Sequence, residues 1–408
     1  MTTKRPVVPE TLFVFEQISD PQISPDGSVV AYVVSKADLN ANKSRSALWL
    51  APTSGGAPRR LTNPLKGSDR APRWSPDGSQ LAFISDRSGQ SQLWVIDRAG
   101  GEARPIETEE QPAGAPVWSP DGRLLAFAAN VFAKADDWTP YPGGPAKDRE
   151  RAARAANYKN DAGNGKEEGE KPSDVKVITR FPFRRDGSGY VGDKYSHLFV
   201  VSADGSGKAS RVSSGDYDHG GPRWSPDGKY LYASTRRVPA PEETRSDLWQ
   251  FEVATGTPKL VYESPTSCLD PQVSPDGKQI AFVSRHAQYG WSGQSRLMLL
   301  ALGDGQIADL TEQLDRPLGP HGLSDVRSGE GTGGGRWAPD GSGLYFLGGE
   351  RGNSQLCHVS LTTRQVARLT RGDDRTVSAF SVGPNGAVAL LIGDGAHPDE
   401  LYLLEDGA

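Results

Sequence analysis

Residues 73–84, RWSPDGSQLAFI, predict a β-hairpin. In the tetrapeptide SPDG, Pro at the second turn position presets φ, Asp takes the third, and Gly adopts the left-handed conformation that leaves the turn. A short apolar run follows, as expected for a buried strand. The turn recurs, in the weaker forms APDG and GPNG for the last two copies, at residues 24–27, 119–122, 225–228, 274–277, 338–341 and 383–386. Seven copies of one turn indicate a repeated architecture.

Each hairpin is followed by a strand centred on a leucine, and most units close with a short apolar strand 12 to 14 residues later. The leucines are Leu48, Leu93, Leu198, Leu248, Leu297, Leu356 and Leu401. Four such strands form an antiparallel blade, which buries both faces only when blades stack around an axis. The sequence therefore predicts an all-β, seven-bladed β-propeller, with the Trp and Phe residues near the hairpins packing between blades.

The domain prediction is an N-terminal segment at 1–20 and a propeller at 21–408. The blades start near residues 21, 72, 116, 222, 271, 335 and 380. The closing strand of the seventh unit is expected near position 414, whereas the sequence runs to Ala408. Either residues 11–15 supply that strand, or the ring stays open, or the chain is part of a longer one. We favour the last alternative and expect the last blade to be incomplete.

The third unit carries an insertion. The turn Asp lies 16 to 22 residues before the next strand leucine in six units, but 77 residues before it in the third. The extra residues, about 133–174, include a predicted short helix at 145–157 and a charged, Gly-rich stretch at 159–174, typical of disordered segments. A second long connection runs over 314–336. Long loops on a rigid scaffold commonly carry function.

Composition excludes several classes of function. The net charge of −5 offers no basic excess for binding nucleic acid. The N-terminus lacks the apolar core of a secretion signal, and no run approaches the length of a membrane span, so we expect a cytoplasmic protein that does not bind membranes. Cys268 and Cys357 fall in different repeats, which argues against a disulfide framework.

No complete catalytic constellation is evident. A nucleophile elbow, G-x-S-x-G, is missing, and the nearest match is GWSGQ at residues 290–294. The six histidines show no ligand spacing, so we expect no metal and no cofactor. The turn aspartates are predicted to cap backbone N–H groups and have no predicted role in acid–base chemistry.

One candidate site remains, a substrate mouth near the enlarged third unit. Arginines at this place would bind a carboxylate, and the aromatic residues would line an apolar subsite. The alternative is that the arginines brace the insertion through salt bridges. The candidate residues are Arg180, Phe181, Phe183, Arg184, Arg185, Tyr217 and His219.

Segments along the whole chain resemble the propeller of the prolyl oligopeptidase family, in its acylaminoacyl-peptidase branch. They are FEQISDPQISPDG at 15–27, VITRFPFRRDGSGY at 177–190, HLFVV at 197–201, DRPLG at 315–319 and SDVR at 324–327. The SPDG turns are less specific, because TolB-like propellers share them. The third-unit and sixth-unit loops match in the expected order.

The resemblance implies a serine peptidase whose propeller precedes an α/β-hydrolase domain with a Ser-Asp-His triad, and none of those positions lies in this chain. The implied role is a size filter over the active site that admits short, often N-acylated peptides. The implied partners are the hydrolase domain and peptide substrates, and a second copy of the chain stays a candidate. The alternative is a stand-alone, TolB-like propeller that binds another protein.

Overall fold

The computed structural model describes residues 8–63, 67–132, 184–185, 189–190, 194–215, 217–236, 245–285, 293–320 and 334–404. Within these ranges, seven antiparallel sheets follow one another along the chain as the blades of a propeller. The predicted all-β, seven-bladed fold is confirmed. The helix predicted at 145–157 and the disordered stretch predicted at 159–174 lie outside the described residues.

The first three blades each contain four strands of one continuous stretch of chain. Blade 1 consists of Glu16–Ile23 (β1), Val29–Asp38 (β2), Lys43–Pro52 (β3) and Arg59–Arg60 (β4). Blade 2 consists of Asp69–Trp74 (β5), Gln80–Ser85 (β6), Gln92–Asp97 (β7) and Arg104–Ile106 (β8). The insertion of blade 3 contains a separate hairpin, Arg184–Arg185 (β11) with Gly189–Tyr190 (β12). Blade 3 itself consists of Val117–Trp118 (β9), Leu124–Phe132 (β10), Lys194–Ser202 (β13) and Ser210–Arg211 (β14).

The inner strand of blade 4 is split in two, and blade 7 has three strands in the described residues. Blade 4 consists of Asp218–His219 (β15), Arg223–Trp224 (β16), Tyr230–Arg236 (β17), Asp247–Glu252 (β18) and Pro258–Tyr262 (β19). Blade 5 consists of Leu269–Val273 (β20), Gln279–Arg285 (β21), Ser295–Ala301 (β22) and Ile307–Asp309 (β23). Blade 6 consists of Arg336–Trp337 (β24), Gly343–Glu350 (β25), Asn353–Ser360 (β26) and Val366–Arg368 (β27). Blade 7 consists of Arg375–Val382 (β28), Val388–Asp394 (β29) and Glu400–Leu404 (β30).

The apolar core lies between neighbouring blades, as stacking of two-faced sheets requires. Leu48 of blade 1 and Leu81 and Phe83 of blade 2 belong to one cluster and are fully buried. Comparable clusters occupy the other blade interfaces. Each blade thus depends on its two neighbours for burial of its apolar faces.

The first strand of each blade is the inner one, since β1 contacts β5 and β28, and β5 contacts β9. Four tryptophans that precede the turns join these strands across blades. The indole Nε1–H of Trp74 donates to the Gln22 carbonyl at 2.9 Å, and that of Trp118 donates to the Arg73 carbonyl at 3.0 Å. Trp224 and Trp337 make the same bond to blades 3 and 5. The predicted packing role of these tryptophans is correct.

The repeated turns have the chemistry that the sequence predicts. In the second copy, the Ser75 hydroxyl donates to Oδ1 of Asp77 at 2.6 Å, and the Ser79 N–H donates to the same oxygen at 3.1 Å. Gly78 follows with φ of 71°. The Ser–Asp contact lowers the pKa of Asp77. The aspartates of these turns are therefore caps, as expected.

Blade 7 closes on blade 1 by side-chain packing and a hydrogen bond. The Ile23 N–H donates to the Ser381 hydroxyl at 3.0 Å. The Pro384 ring packs against Gly27, where an added Cβ atom would lie only 3.2 Å from Cγ of Pro384. Residues 9–13 form a 3-10 helix, so the alternative in which residues 11–15 supply the closing strand is wrong for the described chain.

Candidate functional site

The propeller has two ends of different character. Each inner strand ends at an SPDG-type turn, so these turns all lie at one end, here called the turn end. The connections between the second and third strands, and those between blades, lie at the opposite end, here called the loop end. The insertion at 133–193 and the long connection at 310–335 both belong to the loop end. Extended loops on a repeated frame are the usual place of recognition.

The structure describes four of the seven predicted mouth residues, and these four lie in two groups. Arg184 and Arg185 lie on the inserted hairpin, where the Arg184 guanidinium lies 5.9 Å from the centre of the exposed Tyr190 ring. A guanidinium over an aromatic face at this distance is a cation–π contact. Arg180, Phe181 and Phe183 are outside the described residues, and of Arg185 only the backbone is described.

Tyr217 and His219 belong to the second group, at the start of the inner strand of blade 4. His219 is buried, with its Nδ1 3.0 Å from the Thr235 hydroxyl. Its ring centre lies 5.2 Å from that of His197 and 5.2 Å from that of Phe251. These contacts make His219 a wall residue of the loop end, and most of its ring surface is covered by protein.

A cavity of about 290 Å³ opens beside His219, between the second and third strands of blade 3 and the inner strands of blades 4 and 5. Its charged lining consists of Asp218, Arg223, Arg236 and Asp270. Asp218 accepts the Ser196 N–H at 3.0 Å, which fixes one wall of the cavity to blade 3. The volume and the mixed charges suit a short polar peptide segment better than an apolar ligand.

The inner strands carry a group of charged side chains that the sequence did not reveal, here called the charge belt: Asp20, Arg73, Arg223, Asp270 and Arg336. The carboxylate of Asp20 pairs with Arg73 at 2.8 Å. The carboxylate of Asp270 pairs with Arg223 at 2.7 Å and with Arg336 at 2.9 Å. The belt therefore joins blades 1 and 2, and blades 4, 5 and 6.

The electrostatics of the belt follow from these pairs. Burial alone would raise the pKa of Asp270, but the guanidinium groups of Arg336 and Arg223 outweigh it and lower the pKa to about 2. Burial lowers the pKa of Arg223, and repulsion from Arg336 and Arg73 adds to this effect. At neutral pH the carboxylate of Asp270 is charged.

A signal for the belt was present in the sequence. In units 2, 4 and 6, the residue directly before the Trp is Arg, in the segments APRW, GPRW and GGRW. The residue before Pro in the corresponding words DPQI and DPQV is Asp in units 1 and 5. Only the ring geometry shows that these positions face one another.

A second cavity, of about 440 Å³, lies at the outer part of blade 6 beside Cys357. Burial raises the pKa of the Cys357 thiol to about 11, so the thiol stays protonated and is a poor nucleophile. In the described ranges, no group of three or more His, Cys, Asp or Glu side chains is placed to hold a metal ion. Nor does any helix of the described chain have the length and apolar character to cross a membrane.

Comparison with known proteins agrees with this architecture. A family model described as the TolB beta propeller domain matches residues 10–135. The uncharacterized peptidase YuxL of Bacillus subtilis is 28% identical over 99% of this chain and 58% of its own length. Dipeptidyl-peptidase 5 of Porphyromonas gingivalis is 24% identical over 97% of this chain and 54% of its own length. The chain thus spans little more than half the length of these curated relatives.

Solved structures show the same fold at lower sequence identity. An acylaminoacyl peptidase of Pyrococcus horikoshii matches with a TM-score of 0.65 and 16% identity, over 97% of this chain and 52% of that one. The β-propeller domain of the trilobed protease of Pyrococcus furiosus matches with a TM-score of 0.60 and 16% identity, over 96% and 93% of the two chains. The chain is a seven-bladed β-propeller that is similar to the TolB beta propeller domain over residues 10–135 and to peptidases over nearly its whole length, which confirms the resemblance drawn from its repeats and loops.

Proposed function

We propose that this chain is the substrate-gating, size-filtering propeller of a cytoplasmic serine exopeptidase that hydrolyses short, often N-acylated peptides. In this proposal the catalytic α/β-hydrolase domain lies beyond residue 408 of the same polypeptide. The propeller supplies no catalytic residue. It limits access to the active site and holds one end of the peptide.

The observation that carries the proposal is the extent of the match to a peptidase. Nearly the whole chain, 99%, aligns with YuxL, yet it accounts for only 58% of that protein. The remaining part of such a relative is long enough for a separate domain of ordinary size. A propeller that matches one part of a peptidase is best explained as the non-catalytic part of a similar enzyme.

The exposed apolar side chains support a docking surface for that domain. Val8, Leu12 and Val14, in and beside the N-terminal 3-10 helix, are 45%, 47% and 68% exposed. Leu39, at the loop end of blade 1, is 60% exposed. The 3-10 helix contacts β2, the strand that Leu39 follows. In this proposal these residues form one patch. We assign residues 1–20 and this patch to the contact with the hydrolase domain.

In this proposal the loop end faces the hydrolase domain and receives the peptide. The cavity beside His219 takes part of the peptide backbone. The seven candidate residues Arg180, Phe181, Phe183, Arg184, Arg185, Tyr217 and His219 form the surrounding mouth, in which the arginines bind a carboxylate. In this proposal the propeller lies over the active site, so that short peptides reach it and folded proteins are excluded.

The first experiment expresses the complete open reading frame that contains this chain. We expect labelling by a fluorophosphonate and hydrolysis of acetyl-alanine p-nitroanilide and of acetylated tripeptides, with no cleavage of a folded protein. A complete product without fluorophosphonate labelling would contradict the proposal. Light scattering of the same preparation gives the number of copies per particle.

The second experiment tests the mouth in that complete enzyme. Replacement of Arg184 and Arg185 by Ala should raise KM for short acyl-peptides by roughly tenfold, which corresponds to loss of one charge-assisted contact. Arg123→Ala is the matched control, because Arg123 is an exposed arginine at the turn end. Unchanged kinetics of the double variant on a dipeptide substrate would exclude these arginines from the mouth.

The alternative, a propeller that binds another protein, is favoured by the TolB description of the family model at residues 10–135. It predicts that the coding sequence ends near residue 408 and that no hydrolase activity accompanies the chain. The sequence of the complete open reading frame distinguishes the two functions directly.

A further inference from the structure

The charge belt has an excess of positive charge. It contains three guanidinium groups and two carboxylates, with Asp270 shared between Arg223 and Arg336. Asp270 also accepts from the Gln272 amide at 2.8 Å, and Asp20 accepts from the Gln22 amide at 2.7 Å. Amide donors add no charge, so the five side chains of the charge belt, three cationic and two anionic, have a formal net charge of +1.

The arginines of the belt are held in place by backbone as well as by carboxylates. Nη1 of Arg73 donates to its own neighbour, the Pro72 carbonyl, at 2.6 Å, and Nη1 of Arg223 donates to the Pro222 carbonyl at 3.0 Å. Both described bonds of Arg73 use the same nitrogen, Nη1. A guanidinium carries five N–H donors, so Arg73 retains donors for a further acceptor.

Blade 3 contributes no charged side chain to the charge belt, and this leaves the sector of the ring at blade 3 without a belt residue. Blade 3, between the blades that carry Arg73 and Arg223, has Val117 at the equivalent position, as the repeat words APVW, APRW and GPRW show. This sector therefore has two flanking cations and no carboxylate at the repeated position. The side chains of Arg73 and Arg223 are 29% and 28% exposed, so solvent reaches both.

Access from the loop end is provided by the cavity beside His219, since Arg223 and Asp270 line that cavity as well as the belt. A group in this cavity therefore lies beside Arg223, with Asp218, Arg236 and Asp270 in the same lining. Preorganised guanidinium groups in a partly desolvated channel bind a carboxylate more strongly than flexible surface lysines do.

We propose that the axial sector bounded by Arg73 and Arg223 is a binding site for one carboxylate group of a peptide. The site belongs to the propeller alone and does not depend on peptidase activity. Two sources supply this chemistry, a C-terminal carboxylate and an acidic side chain. The belt accepts either, and a neutral peptide of the same length binds more weakly.

The test uses the 408-residue chain and three acetylated tripeptides, observed by chemical-shift titration and calorimetry. The probes are Ac-Ala-Ala-Ala-OH, Ac-Ala-Ala-Ala-NH₂ and Ac-Ala-Asp-Ala-NH₂. We expect the free acid and the Asp peptide to bind roughly tenfold more tightly than the neutral amide at low salt. Preference for only one of the two carboxylates would identify its source. Equal binding of all three, or no binding, would overturn the proposal.

Two variants separate a binding role from simple stapling of the blades. Arg73→Gln should remove most of the preference for a carboxylate. Asp20→Asn breaks the same ion pair but removes a negative charge, so it should tighten carboxylate binding several-fold. If the pair only joins blades 1 and 2, both variants lower the unfolding midpoint and neither changes the preference.

Arg98→Gln is the matched control. Arg98 pairs with Asp26 at 2.7 Å and joins the same two blades, but at the turn end. It should leave the preference unchanged. A loss of preference in Arg98→Gln equal to that in Arg73→Gln would assign the effect to the net charge of the protein, and the proposed site would be wrong.

Discussion

The turn end and the loop end are built from the same blades, but the turn end repeats one structure whereas the loop end varies in length and charge. At the turn end, the Pro of one turn packs on the Gly of the next at six of the seven blade junctions, for example Pro25 on Gly78 and Pro384 on Gly27, and Gly386 lies beside the Tyr345 hydroxyl. At the loop end, the connection between the second and third strands ranges from two residues, at 351–352, to the long insertion at 133–193. The regular end sets the frame, so differences in length and charge at the other end change recognition without changing the fold.

The largest effect is expected where the regular end holds neighbouring blades together. Trp224→Ala removes a buried indole that packs between blades 3 and 4 and donates to the Val117 carbonyl. We expect it to lower the free energy of unfolding by about 3–5 kcal/mol. Trp224→Phe keeps most of the volume and should cost about 1 kcal/mol. Urea unfolding measures both, and equal costs would deny the indole a packing role.

The next effect tests whether the axial charges act differently from the turn charges. Asp270→Asn leaves Arg223 and Arg336 without their shared carboxylate and should cost about 2–4 kcal/mol at pH 7. Asp276→Asn, in the exposed turn of the same blade, is the control and should cost much less. Similar costs by urea unfolding would mean that the two kinds of aspartate are equivalent.

The pH dependence of this difference has a definite sign. The pKa of Asp270 is about 2 in the folded protein, below the ordinary value of about 3.9 in an unfolded chain. The charged carboxylate therefore stabilises the fold fully above pH 4, and this contribution disappears as the pH falls towards 2. The cost of Asp270→Asn should shrink over the same range.

A smaller effect is expected at the loop end. Replacement of residues 133–193 by a short Gly-Ser linker keeps the pairing of β10 with β13 and closes a loop about ten times shorter. Loop-closure entropy then predicts a stabilisation of at most about 2 kcal/mol. Thermal unfolding of the shortened chain gives the value. A fall in the unfolding midpoint of more than a few degrees would show that the insertion is part of the frame.

The smallest effect belongs to a single turn carboxylate. Contact with the Ser75 hydroxyl lowers the pKa of Asp77, so Asp77 stabilises the turn above pH 4 and loses this effect in more acidic solution. Asp77→Asn should lower the unfolding midpoint slightly at pH 7, and the two proteins should converge on acidification. Divergence at low pH would contradict the capping role.

The sequence predicted the turns and strands, because these features depend on residues that are close together in the chain. Each SPDG segment determines its own turn. In the second copy, Ser75 donates a hydrogen bond to Asp77 and Gly78 adopts the positive φ that the turn requires. The Leu-centred strands then follow from spacing, and blade number follows from counting. This local determination is why the fold class could be predicted in full.

The contacts of the candidate site could not be predicted from the sequence. Asp20 and Arg73 are 53 residues apart in sequence and meet because the ring brings their blades together. Asp270 meets Arg336 across 66 residues for the same reason. The mouth residues of the insertion and of blade 4 were grouped by their proximity in sequence, whereas the structure places Arg184 on its own hairpin and buries His219.

Each blade in the described chain is a continuous stretch of sequence, and this has a consequence for synthesis. During translation, blades 1 and 2 have all their strands before blade 3 begins. Strand β10, which carries the buried Leu125 and Phe127, then waits for residues 133–193 before β13 can cover it. At ordinary elongation rates of about 5–20 residues per second, that interval lasts roughly 3–12 s. The insertion that enlarges the loop end thus leaves an apolar strand edge exposed on the nascent chain for seconds. A chaperone that binds exposed apolar segments would act at this stage.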